Sequence, residues 1–247
     1  MSGPLLSRPL AVLPFPVSAV GRLLASLPAS SNQAELERLL ALPLAERWRR
    51  VGSGAVADCR LASDLGTLAR RALEQPGEEH RELAELALAL CHKRPPRGLE
   101  SALADAEAQA LAVLAEDALA EGLPVRAGRL LSQARELAAA EGAEDPLLSA
   151  ALEITEALFA EASGRRSRAF ELLVTATARA TKQGANELAA EATLSLAVLA
   201  EASGIVAESA QAQAEAWLGR HEAAVRRAGL AFRWARVRVF LGDGGEK

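Results

Sequence analysis

Phe159-Ala-Glu-Ala-Ser-Gly164 and Leu199-Ala-Glu-Ala-Ser-Gly204 are nearly the same hexapeptide, and each closes an Ala- and Leu-rich stretch on a glycine. A third glycine, Gly122, ends a similar stretch, and the three glycines lie 42 and 40 residues apart. From Leu99 onward the chain therefore reads as helix, short glycine turn, helix, three times over. A fixed interval of this size marks supersecondary units that bury their apolar faces only on their neighbours. Composition agrees. Half of the 247 residues are hydrophobic, aromatics make up 3% and tyrosine is absent. Ala and Leu lose the least on entering a helix.

The rest of the chain is arranged around these repeats. Residues 1–17 read as a Pro-interrupted apolar arm, either disordered or laid across the helical body, the second being favoured because Leu10, Val12, Leu13 and Phe15 are costly to leave in water. Residues 18–97 read as a region of shorter helices, with Gln75-Pro76-Gly77 as one turn and Pro95-Pro96 with Gly98 as the break before the repeats. Residues 98–218 hold the three hairpins, and 219–247 a last helix and short tail. The arm lacks a basic start and an unbroken apolar stretch, so it does not read as a signal peptide. No run approaches the ~20 apolar residues of a membrane span. A net charge of −4 argues against bulk affinity for nucleic acid. Two cysteines, Cys59 and Cys91, make no disulfide framework, which favours a reducing cytoplasm.

The spacing around the glycines resembles that of tetratricopeptide-repeat (TPR) proteins of bacterial type. That motif places a small residue seven before the turn glycine, Ala five after it, a large apolar residue four later and a small residue three after that. Ala115, Gly122, Ala127, Leu131 and Ala134 match it, as do Ala157, Gly164, Ala169, Leu173 and Ala176. In the third unit, Ala197, Gly204, Ser209, Gln213 and Ala216, Gln213 departs, so that hairpin is expected to be degenerate or to act as a cap. The repeat is also longer than the family's 34 residues. The resemblance covers residues 99–218. It implies an all-α fold, a right-handed superhelix (α-solenoid) of antiparallel helical hairpins, TPR-like, with first helices lining a concave groove and second helices forming the convex back.

Charge divides along the same lines. The first helices of the hairpins carry twelve acidic residues, among them Glu116, Asp117, Glu153, Glu156 and Glu191, and no Lys or Arg. The second helices of the first two hairpins carry Arg126, Arg129, Arg135, Arg165, Arg166, Arg168, Arg179 and Lys182 against Glu136, Glu141 and Glu171. With the resemblance, this implies an acidic groove. The functional reading is that Glu116, Asp117, Glu153, Glu156 and Glu191 receive a basic or amphipathic segment of a protein partner, steered by the field and held by apolar contacts. The structural alternative is that acidic and basic rows pair across neighbouring helices.

The last helix, about Arg220 to Leu241, offers two faces. Val225, Ala228, Phe232, Ala235 and Val239 fall at helical spacing and are expected to face the body. Arg220, Arg227, Trp234 and Arg238 form another face, with Arg226, Arg233 and Arg236 alongside. Trp with interleaved Arg suits a phosphate or nucleic-acid contact. The plainer reading is a capping helix whose arginine stems cover apolar surface. Pairing of this helix with a second copy is a further option.

No catalytic constellation emerges. Cys91-His92 points in two directions on a helix and does not make a metal site. Gly52-Ser-Gly54 lacks the Lys-Ser/Thr of a phosphate loop. With three histidines in all, His-based catalysis has few candidates. The sequence reading is a non-enzymatic interaction scaffold or adaptor without metal or cofactor. A small-ligand or peptide sensor is the second reading, and an RNA-binding helical repeat the third.

Overall fold

The computed structural model describes residues 33–53, 59–75, 77, 79–92, 100–140 and 146–242. Every regular element among them is helical. They are α1 (Gln33–Leu40), α2 (Leu44–Gly52), α3 (Cys59–Ala72), α4 (Glu79–Cys91), α5 (Glu100–Ala120), α6 (Pro124–Ala140), α7 (Pro146–Ala162), α8 (Arg166–Lys182), α9 (Asn186–Ala202), α10 (Glu208–Trp217) and α11 (Arg220–Gly242). The N-terminal arm lies outside the described residues. No described helix is long and apolar enough to cross a membrane.

The turns end these helices in one recurring way. Gly122, Gly164 and Gly204 have φ of 72°, 71° and 72°, the left-handed region that an L side chain rarely enters. At each, the glycine N–H bonds back to the carbonyl three residues earlier and the next N–H to the carbonyl five residues before it; at Gly164 these are Glu161 (2.8 Å) and Ala160 (2.8 Å). This closes the last carbonyls of the helix in a Schellman motif. Gly184, between α8 and α9, repeats the motif with φ 68°. The spacing reading had singled out three glycines and missed this fourth, because it marks the step between hairpins.

Short turns bring consecutive helices side by side: α5 on α6, α7 on α8, α8 on α9 and α9 on α10. The small and large positions of the first two units are all in the core, with Ala115, Ala127, Ala134, Ala157, Ala169, Leu173 and Ala176 at 0% exposure or close to it and Leu131 at 5%. The third unit is shifted. α10 begins four residues after its glycine, where α6 and α8 begin two after theirs, and Ala214 and Leu218 are buried in place of the exposed Ser209 and Gln213. A first cluster of buried side chains runs from Leu36 to Leu114, across residue 97, and joins α1–α4 to α5. In it, buried Arg47 donates to the Leu40 carbonyl at 2.7 Å and the Leu42 carbonyl at 2.8 Å, closing the end of α1, and to Glu82 on α4 at 2.7 Å.

The last helix lies against α5, α7 and α9. Its face is opposite to the expected one. Ala223, Arg226, Leu230, Arg233, Trp234 and Val237 point inward, while Val225 is 60% and Phe232 37% exposed and Ala228 and Ala235 face solvent. The side chains of Arg238 and Val239 lie outside the described set. Gly229 allows the close approach: a Cβ there would be 2.8 Å from the Glu74 Cβ, just past the end of α3.

Two glycine substitutions separate these roles. Gly164→Ala, with open space around it but φ of 71°, loses about 1–2 kcal/mol from backbone strain. Gly229→Ala, which in an ordinary helix interior gains up to about 1 kcal/mol, lowers the melting temperature instead, because α11 is forced off α3. Thermal unfolding followed by circular dichroism measures both.

Candidate functional site: the ionic layer under the last helix

The first helices α5, α7 and α9 are apolar on almost every side, which is the mark of a helix with no solvent face. Glu116, Asp117, Glu153 and Glu191 are nonetheless within 5% of full burial. An ionised carboxylate taken out of water that far needs a cation and hydrogen bonds in place. Most of the cations come from distant helices.

Arg233 of α11, 2% exposed, bridges two of the first helices. Its Nε donates to Glu116 Oε2 at 2.6 Å and its Nη1 to Glu191 Oε1 at 2.7 Å, while Nη2 donates to Glu116 Oε1. Thr155 of α7 donates to the same Glu116 oxygen at 2.7 Å. On Glu191, Arg70 of α3 donates from Nη2 at 2.7 Å, and Arg226 Nη2 lies 3.6 Å away. Arg226 Nη1 lies 2.7 Å from Glu74. Three guanidinium groups thus meet three carboxylates, and the layer is neutral. A second group adjoins it. Asp117 is 2.7 Å from His80 Nε2, accepts from Arg81 Nε at 2.7 Å and lies 3.4 Å from Arg236.

These partners set the acidities. Burial alone would raise Glu191, but Arg70, Arg233 and Arg226 outweigh it and hold the carboxyl well below the ordinary glutamate range. Burial likewise opposes the charge on Arg233, and Glu116 and Glu191 overcome it and raise its pKa. Asp117 is lowered, since its bonds to His80 and Arg81 exceed the burial penalty. Glu74 goes the other way: burial raises it in spite of Arg226.

The remaining acidic candidates pair between neighbouring helices. Arg179 of α8 donates to Glu153 at 2.9 Å, and Arg135 of α6 to Glu156. The basic candidates divide. Arg220 is exposed. Arg227 donates to Glu201 and Gln211. Trp234 does not belong to that face: at 0% exposure it is part of the buried cluster that also holds Ala115, Ala118 and Leu199 of the first helices. Arg226, Arg233 and Arg236, placed beside the face by the sequence reading, are the ones that matter inside. Arg70 carried no sequence signal of its own, and His80 stood out only beside Cys91-His92, as a metal ligand without a second pair. The signal lay in their partners, since acidic residues embedded in all-apolar helices need cations from elsewhere in the chain.

Beside the ionic layer a cleft of about 700 Å³ stays open between α3, α5, α7 and α9. Its wall includes Arg60, Arg71, Asp105, Gln109 and Glu187 above a floor of Ala and Leu. Among the described residues, no group of three or more His, Cys, Asp or Glu is placed to hold a metal ion. Cys91 is buried, and exposed His92 reaches Glu107 at 3.2 Å. In comparisons with known proteins, no family model, curated protein or solved structure matches the chain.

Removing the central cation leaves two buried carboxylates short of a partner. Arg233→Met is expected to lose about 3–5 kcal/mol of stability in urea unfolding, far more than the roughly 0–1 kcal/mol of an exposed pair such as Arg168–Glu171. The pH dependence has a defined sign. Glu191 and Asp117 are more acidic folded than unfolded, so their contribution is complete above the unfolded values of 4.5 and 3.8 and is lost as the pH falls toward the folded ones. Glu74, raised by folding, contributes in the opposite sense, and its share fades as pH rises. Stability should therefore drop steeply below about pH 4.5, and Glu191→Gln should flatten that drop in acid unfolding curves.

Proposed function

We propose that this chain is a non-catalytic interaction protein, a scaffold or regulatory adaptor of the cytoplasm. We read its hairpins as a right-handed, TPR-like superhelix whose first-helix face recognises an arginine-bearing amphipathic helix. One observation carries this reading: that face already holds such a helix, the chain's own α11, with Arg226, Arg233 and Arg236 on Glu74, Glu116, Asp117 and Glu191. Its chemistry is what a protein partner would have to present, namely guanidinium groups one to two turns apart beside an apolar stripe. An external segment would exchange with α11 on the same carboxylates. Electrostatic steering would bring it in, and salt would weaken the encounter.

The test uses the full chain and a labelled peptide of residues 220–242. Arg236→Ala, which loosens α11 at a mostly covered position at the edge of the layer, should increase peptide binding several-fold over wild type, and binding should fall as salt rises. A folded Arg236→Ala variant that takes up no peptide, or takes it up independently of salt, contradicts the reading.

The cleft between α3, α5, α7 and α9 favours one second reading, a small-ligand sensor. Its volume is within the ~300–1,000 Å³ typical of small-molecule sites. Its balanced lining of arginines and carboxylates suits a zwitterion. The RNA reading is not taken up, because Trp234, its stacking residue, is inside the protein.

A further inference from the structure

α11 is an inside-out amphipathic helix. Arg226, Arg233 and Arg236 are turned to the protein and an apolar stripe to solvent. The stripe comprises Ala224, Val225, Ala228, Ala231, Phe232 and Ala235, all exposed, on the side opposite Arg226 and Arg233. These positions recur every three or four residues, so they form one continuous strip along the helix. The neighbouring turn adds to it: Arg227 ties α11 to Glu201, and Ile205 and Val206, four and five residues beyond, are 53% and 79% exposed. Single exposed apolar residues need no explanation, but an aligned strip does.

The strip is complementary to its own inverse. When two copies of α11 are laid antiparallel about a two-fold axis at position 230, Phe232 falls level with Ala228 and Val225 level with Ala235. By the two-fold, each match occurs twice. Every large side chain then meets an alanine, the arrangement in which helices approach closely with knobs set into gaps. A parallel, in-register pairing would put Phe232 on Phe232 and Val225 on Val225. A two-fold contact requires one patch to be self-complementary, and in the antiparallel sense this strip meets that requirement with each large side chain set against a small one.

We infer that the outer face of α11 is a homodimer interface, in which a second copy of this chain packs its own α11 antiparallel across Val225, Ala228, Phe232 and Ala235. A single helix pair with its flanking turn covers on the order of 1,000 Å², the lower end of specific interfaces, so the dimer is a weak one. The arginine-bound inner face is not used. The inference is therefore independent of the partner-binding reading, and either can fail without the other. In the dimer the two ionic layers lie back to back, and each chain keeps its first-helix face.

Light scattering on the full chain at about 50–100 µM decides the first point, with concentration raised to favour a weak contact. The expected mass lies between 25.9 kDa and twice that value, rising with concentration. Phe232→Glu, at an exposed position, should return it to the monomer with helicity unchanged. A Val225→Cys/Ala235→Cys double variant should form a disulfide-linked dimer on mild oxidation, and neither single variant should do so to the same extent. A wild-type chain that stays monomeric across this range overturns the inference. So does a dimer that survives Phe232→Glu, which would place the contact on another surface. A 220–242 peptide that itself carries Phe232→Glu, and so cannot pair with the outer face, should bind the wild-type chain and the Phe232→Glu chain equally, which separates this outcome from failure of the partner-binding reading.

Discussion

A carboxylate buried among apolar helices has to be neutralised where it stands, and Glu116 and Glu191 impose that requirement on the whole C-terminal half. They are 2% and 5% exposed on α5 and α9, helices too deeply covered to turn them toward water. The demand is met by Arg233, which spans both, and by Arg70 and Arg226 on Glu191. Those three cations fix the position of α3 against the first helices and the rotation of α11 about its own axis. Gly229 then permits the distance at which Arg226 reaches both Glu74 and Glu191.

The rotation of α11 is favoured by two terms. Turned by half a revolution, the helix would bury Val225 and Phe232, each worth about 1.5–3 kcal/mol if fully covered, but would expose Leu230, Trp234 and Val237, which are worth at least as much. It would also leave Glu116 and Glu191 without their bridging arginine, and breaking a buried pair costs about 3–5 kcal/mol. Apolar burial and the ionic layer therefore both favour this face, and the apolar strip is left outward. Partner recognition on the inner face and pairing on the outer one both follow from this orientation.

Much of the architecture was legible in the sequence, because its signals are local. The helices, the glycine turns and the buried Ala and Leu positions of the first two hairpins depend on residues within one or two turns of each other. The shifted third hairpin was announced by Gln213, and the structure relieves it by starting α10 two residues late. The face of α11 was not legible. A helical-wheel argument turns arginines outward by default, whereas the partners of Arg233 are 117 and 42 residues away in sequence. The acidic residues were recognised as a set on the right helices. Their use was hidden for the same reason, since the cations that meet Glu116, Asp117 and Glu191 come from α3, α4 and α11. Trp234 was misassigned because its arginine neighbours in sequence suggested a wet face.

The account rests on Arg233 holding α11 to the first helices through Glu116, and a double-mutant cycle measures that link directly. Stabilities of the wild type, Arg233→Met, Glu116→Gln and the double variant would be compared in urea at neutral pH. A coupling of about 2 kcal/mol or more, with the double variant more stable than Arg233→Met alone, is the expected result. Additive losses, with the double variant the least stable of the four, would contradict the account.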